Sequence, residues 1–390
     1  MPQISVGIDI AKEVHWVTAI DEAGTVLVDR AFDNDPAAIA ALIDELAALG
    51  CTVRVGLDVI GGIAGLAEAM LAMAGFTLLH VPGLAVNRAR QGSVGGENKS
   101  DPRDARTIAD QVRIRRDLRA IEPAAEIDIE LRLLVGRRRD LVQAQTQRIA
   151  RMRDLLTGIF PALERMLDLT TKGPLHLLTR YVTPAELRSA GVKRLARHLN
   201  AIRNGDTIAE QALACARAQT IVVPGETMTA KLIRELATEA LASRARLSEV
   251  DRELKDLLAR HPDAALIQSL PGMGAILTAE LIAEAGNLSR FRSPDALAAA
   301  AGIAPVLKQS GKTRFLRRPT GGNKGLKRVF YQAAFCSLSC PDSRAFYDRK
   351  RREGKRHHQA VIALARRRVN VLWAMLQSHK PFETGFKKAA

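Results

Sequence analysis

Val6-Gly7-Ile8-Asp9-Ile10-Ala11-Lys12 sets an acid in the middle of an apolar run with no turn for it to serve. An unpaired carboxylate buried in such a run is expensive, so Asp9 calls for a partner or a cation. Working outward, a second apolar run delivers Asp58, and Asp101-Pro102-Arg103-Asp104 adds two acids at i and i+3. On a helix that spacing turns both carboxylates to one side, and carboxylates at strand ends are ligands for a hard cation. Taken singly, each acid also reads as a turn or cap residue, Asp101 as the cap of a helix holding Pro102 in its first turn. Taken together and in this order, they predict a metal site made of Asp9, Asp58, Asp101 and Asp104.

The surrounding pattern supplies a frame for these acids. Residues 3–9, 15–20 and 25–31 are short β-rich runs, with a turn signal at Asp21-Glu22-Ala23-Gly24. Asp35-Pro36 opens a helix that Gly50 closes, and residues 52–57 form a strand ending just before Asp58. A helix over 62–74, a strand over 76–81 and a helix over 102–114 follow. The order βββαβαβα is that of the ribonuclease H fold, so residues 1–120 are expected to form an α/β, ribonuclease-H-like metal-binding domain.

Residues 121–262 are expected to form a helical linker or coiled-coil region. Apolar residues recur at steps of three and four from Glu126 to Leu167 and again from Thr227 to Leu258. Between them, 168–226 reads as a small helical insertion. The heptads are broken, so dimerisation through these helices is an expectation from pattern only. Residues 263–390 are expected to be a mainly α, basic C-terminal domain.

Charge says where a polyanion should lie. The net charge is +16, yet residues 301–390 alone carry 21 Lys and Arg against four Asp and Glu. Such a field fits a nucleic acid partner, and that stretch has no helix with a bulky apolar face to favour a membrane. Aromatic residues make up only 4% of the chain, so contacts to the phosphate backbone are expected rather than stacking on splayed bases. The four cysteines are scattered; Cys336 and Cys340 read as two buried thiols rather than a metal pair, and a reducing cytoplasm follows. The start of the chain lacks the pattern of a secretory signal, and Asp58, Glu68, His80 and Pro82 interrupt its longest apolar tract.

Two C-terminal motifs carry chemistry. Leu270-Pro271-Gly272-Met273-Gly274-Ala275 places a glycine turn before a helix, a helix-hairpin-helix-like element whose free N–H groups at Gly272 and Gly274 suit a phosphate; it reads equally as a tight helix–helix turn. Further on, Gln309-Ser310-Gly311-Lys312-Thr313-Arg314 sets a hydroxyl beside a glycine among cations, with Arg317, Arg318, Lys324, Lys327 and Arg328 close behind. A hydroxyl so placed is open to attack phosphorus, and equally to bind a phosphate or close a turn.

With these residues in view, the chain resembles the DEDD transposases of bacterial insertion sequences, a family described as bridge-RNA-guided serine recombinases with a resolvase-like N-terminal domain and a C-terminal transposase domain. The resemblance runs through Asp104 and resumes from about Leu266 to Leu376, including Arg328-Val329-Phe330-Tyr331-Gln332 and Phe346-Tyr347-Asp348-Arg349. It implies that Asp9, Asp58, Asp101 and Asp104 hold Mg²⁺ and that Ser310 forms a covalent link to DNA. The family pattern has Glu where this chain has Asp58, one methylene shorter. The resemblance further implies DNA as substrate, a structured guide RNA, a homo-oligomer (dimer or tetramer), and a bacterial cytoplasmic, nucleoid-associated location. Two rival readings are a metal-only nuclease of the Holliday-junction type, which needs the acids but not Ser310, and a non-catalytic nucleic-acid-binding protein, which needs neither.

Overall fold

A computed structural model describes residues 3–92, 97–122, 125–288 and 291–383. The chain divides into two compact units, Met1–Ala124 and Ala125–Ala390.

The first unit runs β1 (Gln3–Asp9), β2 (Val14–Ile20), β3 (Val26–Asp33), α1 (Pro36–Ala48), β4 (Thr52–Leu57), α2 (Gly65–Met73), β5 (Thr77–His80), α3 (Gly83–Gln91), α4 (Asp101–Ile114) and β6 (Arg119–Ala120). The strands form one mixed sheet in the order β3-β2-β1-β4-β5-β6. β1 lies at its centre, antiparallel to β2 and parallel to β4, with Ile8 opposite both Val17 and Leu57. Ile4 to Ile8 are buried on both faces, as suits a strand covered from above and below. The expected order of strands and helices is present and consistent with a ribonuclease-H-like fold, with two additions, α3 and the short β6. α1 begins where the sequence places it: the Asp35 carboxylate accepts from the N–H groups of Ala37 and Ala38 at 2.8 and 2.9 Å, with Pro36 in the first turn.

α4 lies directly on the strands because two glycines let it. A Cβ on Gly7 would fall 2.1 Å from the Ala105 carbonyl oxygen, and one on Gly56 would fall 2.5 Å from a Val112 methyl. Both glycines face α4, and the buried side of that helix, Ala105, Ile108, Ala109 and Val112, meets them.

The second unit begins with α5 (Glu126–Ile159), α6 (Pro161–Met166), α7 (Lys172–Leu178), α8 (Pro184–His198), α9 (Gly205–Ala218) and α10 (Glu226–Leu258). It continues with α11 (Ala264–Gln268), α12 (Ala275–Ala285), α13 (Pro294–Ala300), β7 (Val306–Ser310), β8 (Thr313–Arg317), α14 (Lys324–Cys336), α15 (Pro341–Arg352) and α16 (His357–Ser378). The first long helix stops at Ile159 rather than Leu167, because Pro161 removes an N–H and disfavours helical geometry at Phe160.

α5 and α10 pair antiparallel, with Arg138 on Asp251 at 2.7 Å and Arg148 on Glu239 at 3.0 Å. Their two ends serve two cores. Met152, Leu156, Ile233 and Ala237 join the α6–α9 insertion, while Leu131, Val135, Val250 and Leu254 join α11–α16. Cys336 and Cys340 flank a short 3₁₀ turn and are exposed and half-buried, so the expected pair of buried thiols is not what forms; all four cysteines are free. Among the described residues no helix is long and apolar enough to cross a membrane.

Gly7→Ala should therefore lower stability by about 1–3 kcal/mol, the range for overpacking. Gly136→Ala, in open space on α5, should raise it by up to about 1 kcal/mol. Urea denaturation of the two variants checks both signs.

Candidate functional site

The four acids of the first unit come to one end of its sheet. Asp9 is the last residue of β1, and Asp58 follows the last residue of the adjacent parallel strand β4, so both leave the carboxyl ends of neighbouring strands. The Ile10 N–H donates to Asp58 Oδ1 at a long 3.5 Å. Asp101 and Asp104 occupy the first turn of α4, where the helix dipole favours negative charge. Ser100, not Asp101, stands at the cap position, and its side chain makes no capping bond.

Electrostatics shows that the acids sense one another. Burial, then the charges of Asp58, Asp104 and Asp101, push the Asp9 carboxyl up to about 7, against a smaller opposing pull from Lys99. Asp58 is also raised, chiefly by burial, with hydrogen bonds from the backbone of Ile10, Asp58 and Val59 opposing and Asp104 adding to the rise. Mutual repulsion of this kind is what a divalent cation relieves, and an all-carboxylate donor set suits a hard ion such as Mg²⁺ in ligand type and charge. The spacing is open: among the described residues no three His, Cys, Asp or Glu are grouped closely enough to hold a metal.

Sequence reasoning missed Arg90. From α3 its Nε lies 2.9 Å from Asp104 Oδ1, with both side chains only 10% exposed. Its other nitrogens reach Asn87 Oδ1 at 2.8 Å and the Asn98 carbonyl at 3.4 Å. Arg90 thus neutralises the most buried of the four acids and ties the approach to α4 back to α3. No local signal distinguishes it, since Asn87, Arg88, Gln91, Asn98 and Lys99 are polar neighbours in the same stretch.

In the second unit, Ser310 ends β7 opposite Thr313 of β8, on an exposed hairpin turned by Gly311 (φ +54°) and Lys312. The serine belongs to a strand end rather than a loop, and the hydroxyl is open to solvent. Lys312, Arg314, Arg317 and Arg318 are exposed along the same hairpin. At its base, Arg317, Arg318, Lys324 and Lys327 line a cavity of about 540 Å³ with Thr320 and Gly321.

Arg328 is placed differently: it pairs at 2.9 Å with Glu280, a carboxylate only 5% exposed on α12. The two glycines of the 271–274 turn also differ. Gly272 (φ +82°) packs against α14, where a Cβ would come within 2.4 Å of the Ala333 carbonyl, whereas Gly274 begins α12 in open space. Beneath the turn, Arg368 donates to the Pro271 carbonyl, and burial pulls its guanidinium down to about 10.

The first unit thus carries four acids near the strand ends of a mixed sheet, and the second an exposed serine hairpin among cations. A family model described as "Transposase" matches residues 6–161, and one described as "Transposase IS116/IS110/IS902 family" matches residues 264–348. The chain is 43% identical to the uncharacterized 44.8 kDa protein of insertion element IS116 from Streptomyces clavuligerus, covering 97% of this chain and 96% of that one. It is 42% identical to the uncharacterized 42 kDa protein of IS900 from Mycobacterium paratuberculosis, over 98% of each. It is 29% identical to a mini-circle putative transposase for IS117 from Streptomyces coelicolor, over 97% and 94%. The chain belongs to the IS116/IS110/IS902 family of transposases.

Two outcomes follow from the acids. A folded-state carboxyl raised to about 7 from 3.8 holds its proton longer in the native than in the unfolded chain. Its stabilising contribution is present at low pH and is lost as pH rises through about 7. Urea midpoints of the wild type should fall between pH 5 and pH 8 more steeply than those of Asp9→Asn, which should be the more stable of the two at pH 8. Arg90→Gln leaves a buried Asp104 without its counter-charge and should cost about 3–5 kcal/mol, read by the same titration at pH 8.

Proposed function

We propose that this transposase cuts and rejoins DNA as an insertion sequence moves, with the four acids positioning the scissile phosphate and Ser310 as the nucleophile. The observation that carries the reading is the coupling of Asp9 to Asp58, Asp101 and Asp104 at the ends of adjacent strands. Asp9, Asp58, Asp101 and Asp104 would hold Mg²⁺, which when bound supplies positive charge to the phosphoryl oxygens. Arg90 pairs with Asp104 and holds its side chain in place on α4, while the open spacing of the four acids means that they draw together when a cation binds.

Ser310 Oγ attacks phosphorus, a phosphoserine ester forms, and the bond to one sugar oxygen breaks. The serine proton ends on that departing oxygen. Rejoining reverses the step with a different sugar hydroxyl, so the energy of the broken bond is kept in the ester and no nucleotide cofactor is required. Exposure of Ser310 on the hairpin supports this, since a nucleophile for a polymer must be reachable by the polymer. Lys312 and Arg314 flank the serine and offset charge on the transferring group.

Target choice comes from a structured guide RNA, and the active assembly is a homo-oligomer. The RNA is what the likeness to the family implies; an aromatic content of 4% says only that stacking on splayed bases is a minor mode.

With a nicked, mismatched suicide substrate and Mg²⁺, the wild type should give a denaturant-resistant protein–DNA adduct. Ser310→Ala should lose adduct and joining by at least ~10³-fold while still binding DNA, and Asp9→Asn and Asp104→Asn should lose cleavage. Joining by Ser310→Ala at the wild-type rate would instead indicate a metal-only nuclease of the Holliday-junction type. No strand breakage by the wild type, with DNA binding unchanged in both acid variants, would indicate a non-catalytic binding protein.

A further inference from the structure

The cavity at the base of the serine hairpin is unusual for its unbalanced charge. Arg317, Arg318, Lys324 and Lys327 converge on it with the backbone of Gly321 and Gly322, and among the described residues none of the four forms an ion pair. Their neighbours show that this is not for want of carboxylates. Glu280 takes Arg328 at 2.9 Å and lies 3.9 Å from Arg138. Glu284 takes Arg139 and accepts from the Asn323 amide at 3.0 Å. Arg328, next to Lys327 on α14, is neutralised, as are Arg138 and Arg139 on α5, whereas the four around the cavity have no carboxylate partner among the described residues. Arg317, Arg318 and Lys324 are exposed and Lys327 half-buried, so the cavity presents four cations to solvent, an arrangement that suits an anionic ligand.

The glycines at the cavity wall are fixed by packing as well. Gly322 (φ +99°) approaches Gly302 so closely that a Cβ would fall 2.6 Å from its nitrogen, and the Asn323 N–H donates to the Ala300 carbonyl at 2.7 Å. One wall of the cavity is thereby anchored at the end of α13, and the hairpin projects from it.

We infer that this cavity is a subsite for a backbone phosphodiester, engaged at a fixed offset from the phosphate that Ser310 attacks. β7 and β8 are paired without a break from Val306–Arg317 at the base to Ser310–Thr313 at the tip. Four residue steps separate the two ends, about 14 Å at ~3.4 Å per residue. A duplex rises ~3.4 Å per base step, so the phosphate in the cavity lies within about four steps of the reacting one. The hairpin acts as a spacer that holds one strand at two points. This rests on the reading of Ser310 as nucleophile only for the offset; the charge of the cavity stands apart from it.

The test uses the full chain with two probes of the same length, a DNA duplex and a single-stranded RNA, titrated over a range of salt. Arg318→Gln/Lys327→Gln should reduce the slope of log affinity against log salt by ~1–2, near 0.9 per lost duplex contact and 0.7 per lost single-strand contact. Lys193→Gln on α8, far along the chain from the cavity, and the charge-keeping pair Arg318→Lys/Lys327→Arg should leave the slope at the wild-type value. Loss in the DNA arm assigns the site to DNA and loss in the RNA arm assigns it to RNA. An unchanged slope in both arms overturns the inference. Single methylphosphonate substitutions along the DNA should then weaken wild-type binding at one position within about four steps of the joined phosphate, and that effect should vanish in the double variant. A flat profile overturns the offset. Ser310→Ala reports separately: adduct formation by that variant sinks the nucleophile, whereas loss of adduct with an unchanged salt slope in the cavity variant sinks the subsite alone.

Discussion

The close approach of α4 to Gly7 and Gly56 is the constraint on which the first unit depends. Hydrogen in place of a methyl at two positions on neighbouring strands removes the layer of side chains that normally separates a helix from a sheet. The backbone of α4 near Ala105 then reaches β1 directly, which brings Asp101 and Asp104 to the strand ends where Asp9 and Asp58 emerge. The same packing that makes a core makes the acidic cluster. Any larger residue at either glycine would displace both at once, so stability and site geometry are bound together here.

Crowding four carboxylates is unfavourable, and the unit offsets it in three ways. Asp9 gains proton affinity, so at moderate pH one charge is partly absent. Arg90 neutralises Asp104 where burial is deepest. The N-terminal turn of α4 favours the charges of Asp101 and Asp104 through its dipole. These compensations differ in how readily they yield. A proton leaves with rising pH and a dipole is fixed, while Arg90 is held in place by Asn87 and Asn98 as well.

Much of this frame was legible in the sequence. The central strands are buried on both faces and read as apolar runs, and Asp9 stands out because it interrupts one. The helix capped at Asp35-Pro36 announces its own start. The elements that were not legible lack those signals. α3 is short and largely polar, with Leu84 exposed, so no apolar stripe marks it. Every residue of β7 and β8 is exposed, so no inside–outside alternation distinguishes the hairpin from a loop around Ser310. Arg90 could not be found from local pattern because its partner is fourteen positions away across a tertiary contact.

Charge in the second unit is divided by function of position, not by abundance. The α12 acids Glu280 and Glu284 are spent on α5 and α14, where Arg138, Arg139 and Arg328 cross-link three helices through part-buried pairs. Breaking such a pair leaves a buried carboxylate exposed to its full desolvation penalty, so these cations are committed to structure. The cations of the hairpin and its base are not. A single basic count for the C-terminal ninety residues hides this division, and it explains why Arg328, adjacent in sequence to Lys327, faces a different task. The helices set the base of the hairpin with neutralised charge, and the hairpin leaves what remains exposed.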